Sequence, residues 1–270
     1  MVEDLLAEAC ASLARTQSGM IPIYTPVGDS SFWAQQALRK PRSPESLVLR
    51  PGVLESLHED VRKFRASREW YERMGIPWRR GYLLEGAPGN GKTSAILALA
   101  GMTDHGISIL SLADVTMTDA RLAVLISSLP EKAFLVIEDV DAIFNKRAAL
   151  SQSQVTFSGL LNGLDGILCG EGRILFMTTN HPEQLDPALI RPGRVDRRII
   201  ISNPTAEQAK RLFLRFFPDA VSLSDRFASY AESAGVSMAV LQEHCLAHRG
   251  DPAGALENLR PHGPVDEVAA

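Results

Sequence analysis

The eight residues GAPGNGKT, Gly86 to Thr93, match the pattern G-x-x-x-x-G-K-[ST] at every constrained position. Such a loop works only where the backbone N–H groups of a tight turn converge on one spot. That requires a strand leading in and a helix leading out. The chain supplies both, with GYLLEG (81–86) ahead of the loop and the apolar KTSAILALA after it. A glycine turn with a surface lysine is the alternative, and the flanking pattern argues against it.

The same alternation continues. AFLVIED (133–139), RILFMTT (173–179), ISILSL (107–112) and RRIII (197–201) read as buried strands, with helical stretches near 93–101, 119–129 and 155–166. Apolar strands alternating with helices predict an α/β fold with a mostly parallel sheet and helices on both faces. After ISNP the strands stop. Thr205 followed by Gln208 is a capping-box signal, and Ala209, Leu212, Phe213 and Phe216 form one helical apolar face. The expected organisation is an N-terminal region over 1–50, an α/β body over 51–203, a small α-helical lid over 204–262 and a tail over 263–270. Within the first region, residues 3–15 have amphipathic helical spacing, MIPIYTP reads as a short strand, and RKPRSPESLVLRPG has the composition of a connector.

Bulk composition narrows the function classes. The 270 residues are 45% hydrophobic and carry 28 basic against 32 acidic side chains, a net charge of −4. That balance disfavours a nucleic-acid partner. Cys10, Cys169 and Cys245 are scattered, as expected of reduced thiols. No apolar run reaches the ~20 residues needed to cross a bilayer, and the acidic MVEDLLAEAC start does not resemble a leader. The expectation is a cytoplasmic protein.

The chemistry concentrates on a few positions. Gly86, Ala87, Pro88, Gly89, Asn90 and Gly91 form the cradle, Lys92 reaches outer phosphates, the Thr93 hydroxyl suits Mg²⁺, and Ser94 completes the binding stretch. Glu138 and Asp139 close an uninterrupted apolar strand, where one carboxylate can serve Mg²⁺ and the other an attacking water. Asp141 is a weaker candidate, suited to a local hydrogen bond. Asn180, after MTT, falls at the same carboxyl edge of the sheet, where an amide can address a γ-phosphate and the lytic water. His244 and His248, at i and i+4 on a helix beside Cys245, have a spacing that can bind zinc, but they lack the H-E-x-x-H pattern and an evident third ligand and read as lid surface. Trp70, Tyr71 and Trp78 read as core and subunit packing, and Gly159 and Gly163 as sites of close helix approach.

With phosphate loop, acidic pair, strand-end Asn180 and the arginine-bearing RPGRVD together, the chain resembles an AAA ATPase. GIPWRRGYLLEGAPGNGKTS, EDVDAIF, TFSGLLNGLDG and MTTNHPEQLDPALIRPGRVD resemble the Bcs-type branch, the family of the mitochondrial complex III assembly chaperone. The likeness runs from about Leu47 to about residue 260. It implies a P-loop NTPase fold, ATP and Mg²⁺ as ligands, and a homo-oligomeric ring of about six or seven copies acting on a protein client. It further implies that Arg191 and Arg194 point out of their own subunit toward a neighbour's γ-phosphate. By position, Glu138 then serves Mg²⁺ and Asp139 the water, an order shared with that branch and reversed in most AAA proteins. The loop LADVTMTDARL lacks the aromatic residue with which AAA unfoldases grip a threaded chain, which favours remodelling of a folded client. The branch normally has a membrane segment and a dedicated domain before the ATPase. About fifty residues precede it here, without an apolar span, so a soluble relative or a shortened one is expected. The alternatives are an ATP-switched scaffold with little hydrolysis and a nucleic-acid-remodelling AAA ATPase.

Overall fold

The apolar runs form strands β3 (Arg79–Glu85), β4 (Gly106–Ser111), β5 (Ala133–Glu138), β6 (Arg173–Thr179) and β7 (Arg197–Ile200) in a computed structural model that describes residues 19–143, 154–165 and 171–259. The helix expected at 3–15, the tail from 263, and Cys10 and Cys169 lie outside the described residues. Two strands precede these: β1 (Ile21–Pro26), anticipated in MIPIYTP, and β2 (Trp33–Arg39), which was not anticipated. The sheet order is β2-β1-β4-β5-β6-β3-β7, parallel throughout except for the antiparallel β1–β2 pair.

β2 was invisible in the sequence because WAQQALR is largely exposed and has no buried-strand pattern. Pairing with β1 makes it a strand, and the Trp33 indole N–H, donating to the Leu125 carbonyl at 2.9 Å, ties it to the body. The two N-terminal strands therefore extend the α/β sheet. The connector after them is also more than a linker: a short 3₁₀ turn, Pro44–Ser46, leads into the buried Leu47, Val48 and Leu49.

Helices cover both faces of the sheet. On one, α1 (Val53–Arg65) presents Leu54, Leu57, Val61 and Phe64 at helical spacing, beside α3 (Lys92–Met102); the short α2 (Arg68–Met74) follows α1. On the other, α4 (Asp119–Ser127) packs on α5 (Phe157–Asp165) through Leu122, Leu125, Leu160 and Leu164. A Cβ on Gly159 would fall 2.0 Å from the Asp119 carboxylate, and one on Gly163 3.1 Å from Ile126, so these glycines do permit the close approach. Tyr71 and Trp78 pack against Phe64, at ring-centroid distances of 5.7 and 5.5 Å, whereas Trp70 is exposed.

The lid is built on a third apolar cluster, formed by helices α6 (Ala206–Phe216), α7 (Val221–Ala234), α8 (Met238–Ala247) and α9 (Pro252–Glu257). Thr205 and Gln208 close the expected capping box at the start of α6. Phe213 packs against Phe217 and Phe227, with ring centroids at 4.9 and 4.5 Å, and a fully buried ring such as Phe213 or Phe227 contributes about 1.5–3 kcal/mol. Val48 of the connector belongs to this cluster, and the Gln208 amide donates to its carbonyl at 3.2 Å.

His105, after α3, is buried with its ring stacked on Phe134 at 4.5 Å. Burial, reinforced by the Arg65 charge, pushes its pKa down from 6.5 to about 4. The unfolded chain therefore takes up this proton first. The contribution is fully present above about pH 6.5 and is lost as pH falls toward 4. The thermal midpoint is expected to fall across that window, and His105→Phe, which keeps the stacked ring, is expected to flatten the fall.

Candidate active site

β3 delivers the chain to the loop, and the Gly86 N–H donates to the Thr179 carbonyl at the end of β6 at 3.3 Å. Gly86 has φ 143°, and a Cβ there would lie 2.0 Å from the Ile201 carbonyl oxygen, so no side chain fits. Gly91, at φ 95°, caps α3 in a left-handed conformation that glycine adopts without strain. The first turn of α3 then points its uncommitted N–H groups and positive dipole end into a cleft of about 430 Å³.

Because β5, β6 and β3 are neighbours, their carboxyl ends bring the separate sequence candidates together. The Lys92 ammonium donates to the carbonyls of Gly86 at 2.6 Å and Ala87 at 3.1 Å, and to the Asn180 Oδ1 at 2.6 Å. The Asn180 amide in turn donates to the Asp139 carboxylate at 3.0 Å. Burial lowers the Lys92 pKa, and the negative charges of Asp139 and Asp141 oppose that shift. The Thr93 hydroxyl donates to the Glu138 carboxylate at 2.7 Å. These pairings divide the acids: Glu138 stands with Thr93, Asp139 with Asn180. Two hard oxygen donors side by side at an anion-binding helix end fit Mg²⁺ shared with phosphate oxygens.

Asp139 sits at φ 48°, a conformation Asp tolerates better than most residues. Its N–H donates to the Thr178 hydroxyl at 3.1 Å, and its carboxylate is exposed at the cleft. Asp141 is buried and accepts from the Thr179 hydroxyl at 2.7 Å and the Asn180 N–H at 3.2 Å. Its role is to hold the end of β6 in place.

Two site residues behave differently from expectation. The Asn90 side chain is directed to the lid: its amide donates to Asn203 at 2.7 Å and its oxygen accepts from the Met238 N–H at 3.0 Å. Beside it, the Gly89 carbonyl accepts from Ala239 at 3.0 Å. Asn90 thus leaves its backbone to the cradle and uses its side chain to join phosphate loop and lid. Arg194, expected to project with Arg191, closes on its own chain through bonds to the Asp165 carboxylate, from Nε at 2.8 Å and also from Nη2, and to the Ala188 carbonyl. A carboxylate at the end of α5 outcompetes solvent for this half-buried guanidinium. Arg191 is exposed, without a side-chain partner among the described residues, and neither arginine lines the cleft of its own chain. The outer wall of the cleft, missed in the sequence, is formed by Arg42, Leu47, Val48 and Leu49 of the connector and Arg215 and Met238 of the lid.

The histidines of HCLAH are engaged within the lid. His244 Nε2 pairs with the Ala255 carbonyl at 2.7 Å and His248 Nδ1 with the His244 carbonyl at 3.0 Å. Burial pushes the thiol of Cys245 up to about 12. No helix among the described residues is long and apolar enough to cross a membrane.

Comparison with known proteins agrees with this geometry. Residues 82–203 match the model of the ATPase family associated with various cellular activities (AAA), and residues 206–260 that of the mitochondrial chaperone BCS1-like ATPase lid domain. The chain is 42% identical over 267 residues to mitochondrial chaperone BCS1 of Bos taurus and of Homo sapiens, covering 94% of this chain and 63% of each relative. It is also 42% identical over 263 residues to a probable mitochondrial chaperone bcs1 of Schizosaccharomyces pombe, covering 94% of this chain and 57% of that one. The chain thus spans about three fifths of the length of these relatives. With a phosphate loop between β3 and α3, paired acids at the end of β5, and a lid of matching type, the chain belongs to the AAA ATPase family, in the branch with a BCS1-like lid.

Proposed function

We propose that this chain hydrolyses ATP within a homo-oligomeric ring and uses the cycle to remodel a protein client. The observation that carries the reading is the gathering of the phosphate loop, Lys92, Thr93, Glu138, Asp139 and Asn180 on one cleft, with the exposed Arg191 outside it. The loop N–H groups and Lys92 bind the phosphates, while Thr93 and Glu138 hold Mg²⁺, which neutralises charge on the phosphate oxygens when bound. Asp139, oriented by the Asn180 amide, accepts a proton from the attacking water. Arg191 crosses to the cleft of the next subunit. Asn90, bonded to the lid, relays movement of the loop to the start of helix α8. Likeness to proteins named as mitochondrial chaperones supports a protein client.

The test is specific phosphate release at increasing protein concentration with Mg²⁺ and ATP. A shared site requires the rate per chain to rise with concentration and level off as assembly completes. A dilute, demonstrably solitary protomer turning over at the plateau rate would exclude the reading. One feature favours an ATP-switched scaffold instead: Asp139 is a methylene shorter than glutamate at the water-facing position. Tight ATP binding with no release at any concentration supports that alternative.

A further inference from the structure

Arg42 stands outside both the phosphate loop and the acidic pair. It lies in the connector between β2 and α1, half-buried, and lines the same cleft as the phosphate loop. Its Nη1 donates to the Ser94 hydroxyl at 2.8 Å and its Nε to the Ser46 hydroxyl at 3.3 Å. Among the described residues no carboxylate lies within ion-pair distance of it. Four other arginines each have a carboxylate partner. Arg80 faces Asp60, Arg121 faces Asp114, Arg194 faces Asp165 and Arg198 faces Glu85. A guanidinium has five N–H donors and a permanent charge, and two neutral hydroxyls leave most of that capacity unmatched.

Placement identifies the missing partner. Ser94 belongs to the first turn of α3, where backbone N–H groups are also open to an anion. Lys92 is engaged elsewhere, with Asn180 and the first loop carbonyls, on the side of the outer phosphates. Arg42 instead meets Ser94, two residues further along α3, and lines the cleft together with the apolar Leu47, Val48 and Leu49, residues suited to a flat base. We infer that Arg42 is a ligand of the nucleotide's inner phosphate, the one next to the ribose. This rests on the nucleotide-binding reading and adds a phosphate ligand from outside the phosphate loop. The lid grips the same segment, since Arg215 donates to the Ser46 carbonyl at 2.6 Å and to the Glu45 carbonyl. One short stretch therefore meets nucleotide, lid and the end of β2.

The experiment is titration of the full chain with ADP carrying a fluorescent ribose label, followed by competition with unlabelled adenosine. Losing one charge-assisted phosphate contact should raise the ADP Kd of Arg42→Ala about ten- to a hundredfold. Arg42→Lys, which keeps the charge without the fork, should lose less. Competition by adenosine, which has no phosphate, should be the same in wild type and both variants. Wild-type ADP affinity in Arg42→Ala would overturn the assignment. So would equal proportional losses for ADP and adenosine, because Arg42 would then merely shape the wall. If the wild-type chain binds adenosine but not ADP, this inference and the phosphate-loop reading fail together; if only the Arg42 variants depart from expectation, the loop reading stands.

Discussion

Arg191→Ala is expected to lower steady-state phosphate release about 10³-fold or more while leaving ATP affinity within about threefold of wild type. The asymmetry follows from where the side chain stands. Arg191 is exposed and does not line the cleft of its own chain, so its removal takes nothing from the ground-state grip of Lys92 and the loop. On the proposed shared-site reading, what is lost is a positive charge brought to the γ-phosphate by a neighbour as negative charge develops there. Binding is read by nucleotide titration and turnover by phosphate release at a concentration where assembly is complete. Normal turnover by this variant would end the shared-site model. Arg194→Ala is the instructive comparison. It too is expected to lose turnover, but it also breaks the ion pair to Asp165 and removes the Ala188 contact, at a cost of about 1 kcal/mol. A drop in melting temperature should therefore accompany the Arg194 variant and be absent from the Arg191 variant.

The second large effect is expected at the acidic pair. Asp139→Asn should reduce turnover by about 10³-fold with nucleotide affinity retained, because the substitution removes a proton acceptor and little else. Asparagine has nearly the same shape and also tolerates the left-handed backbone found at this position, φ 48°. Glu138→Gln should behave differently. Its carboxylate stands with the Thr93 hydroxyl at 2.7 Å, so neutralising it should raise the Mg²⁺ concentration needed for half-maximal rate. If instead the Asp139 variant changed the Mg²⁺ requirement and the Glu138 variant did not, the two roles would be exchanged.

The parts of the site that could be read in advance were local. Gly86 to Thr93 carry their own backbone requirements, and Glu138, Asp139 and Asn180 stand where apolar strands end, so parallel pairing brings them to one edge. The parts that could not be read depend on partners remote in sequence. Asn90 looks like any variable position in a phosphate loop, yet it bonds to an N–H 148 positions away. Arg42 looks like one more charge in a proline-rich connector, and its serine partner lies 52 positions further on. β2 has too little apolar patterning to announce itself, and exists because β1 offers it an edge.

Sequence alone determined the alternation of strand and helix, the loop that receives a phosphate, and the type of chemistry the cleft can support. Those properties are written in short-range spacing, through side-chain periodicity and the few residues able to turn a backbone sharply. Tertiary structure decided which charges meet. It closed Arg194 onto Asp165, left Arg191 exposed, and set Arg42 against two hydroxyls. Electrostatic partnership depends on separation in space and on burial, and neither can be read until the chain has folded.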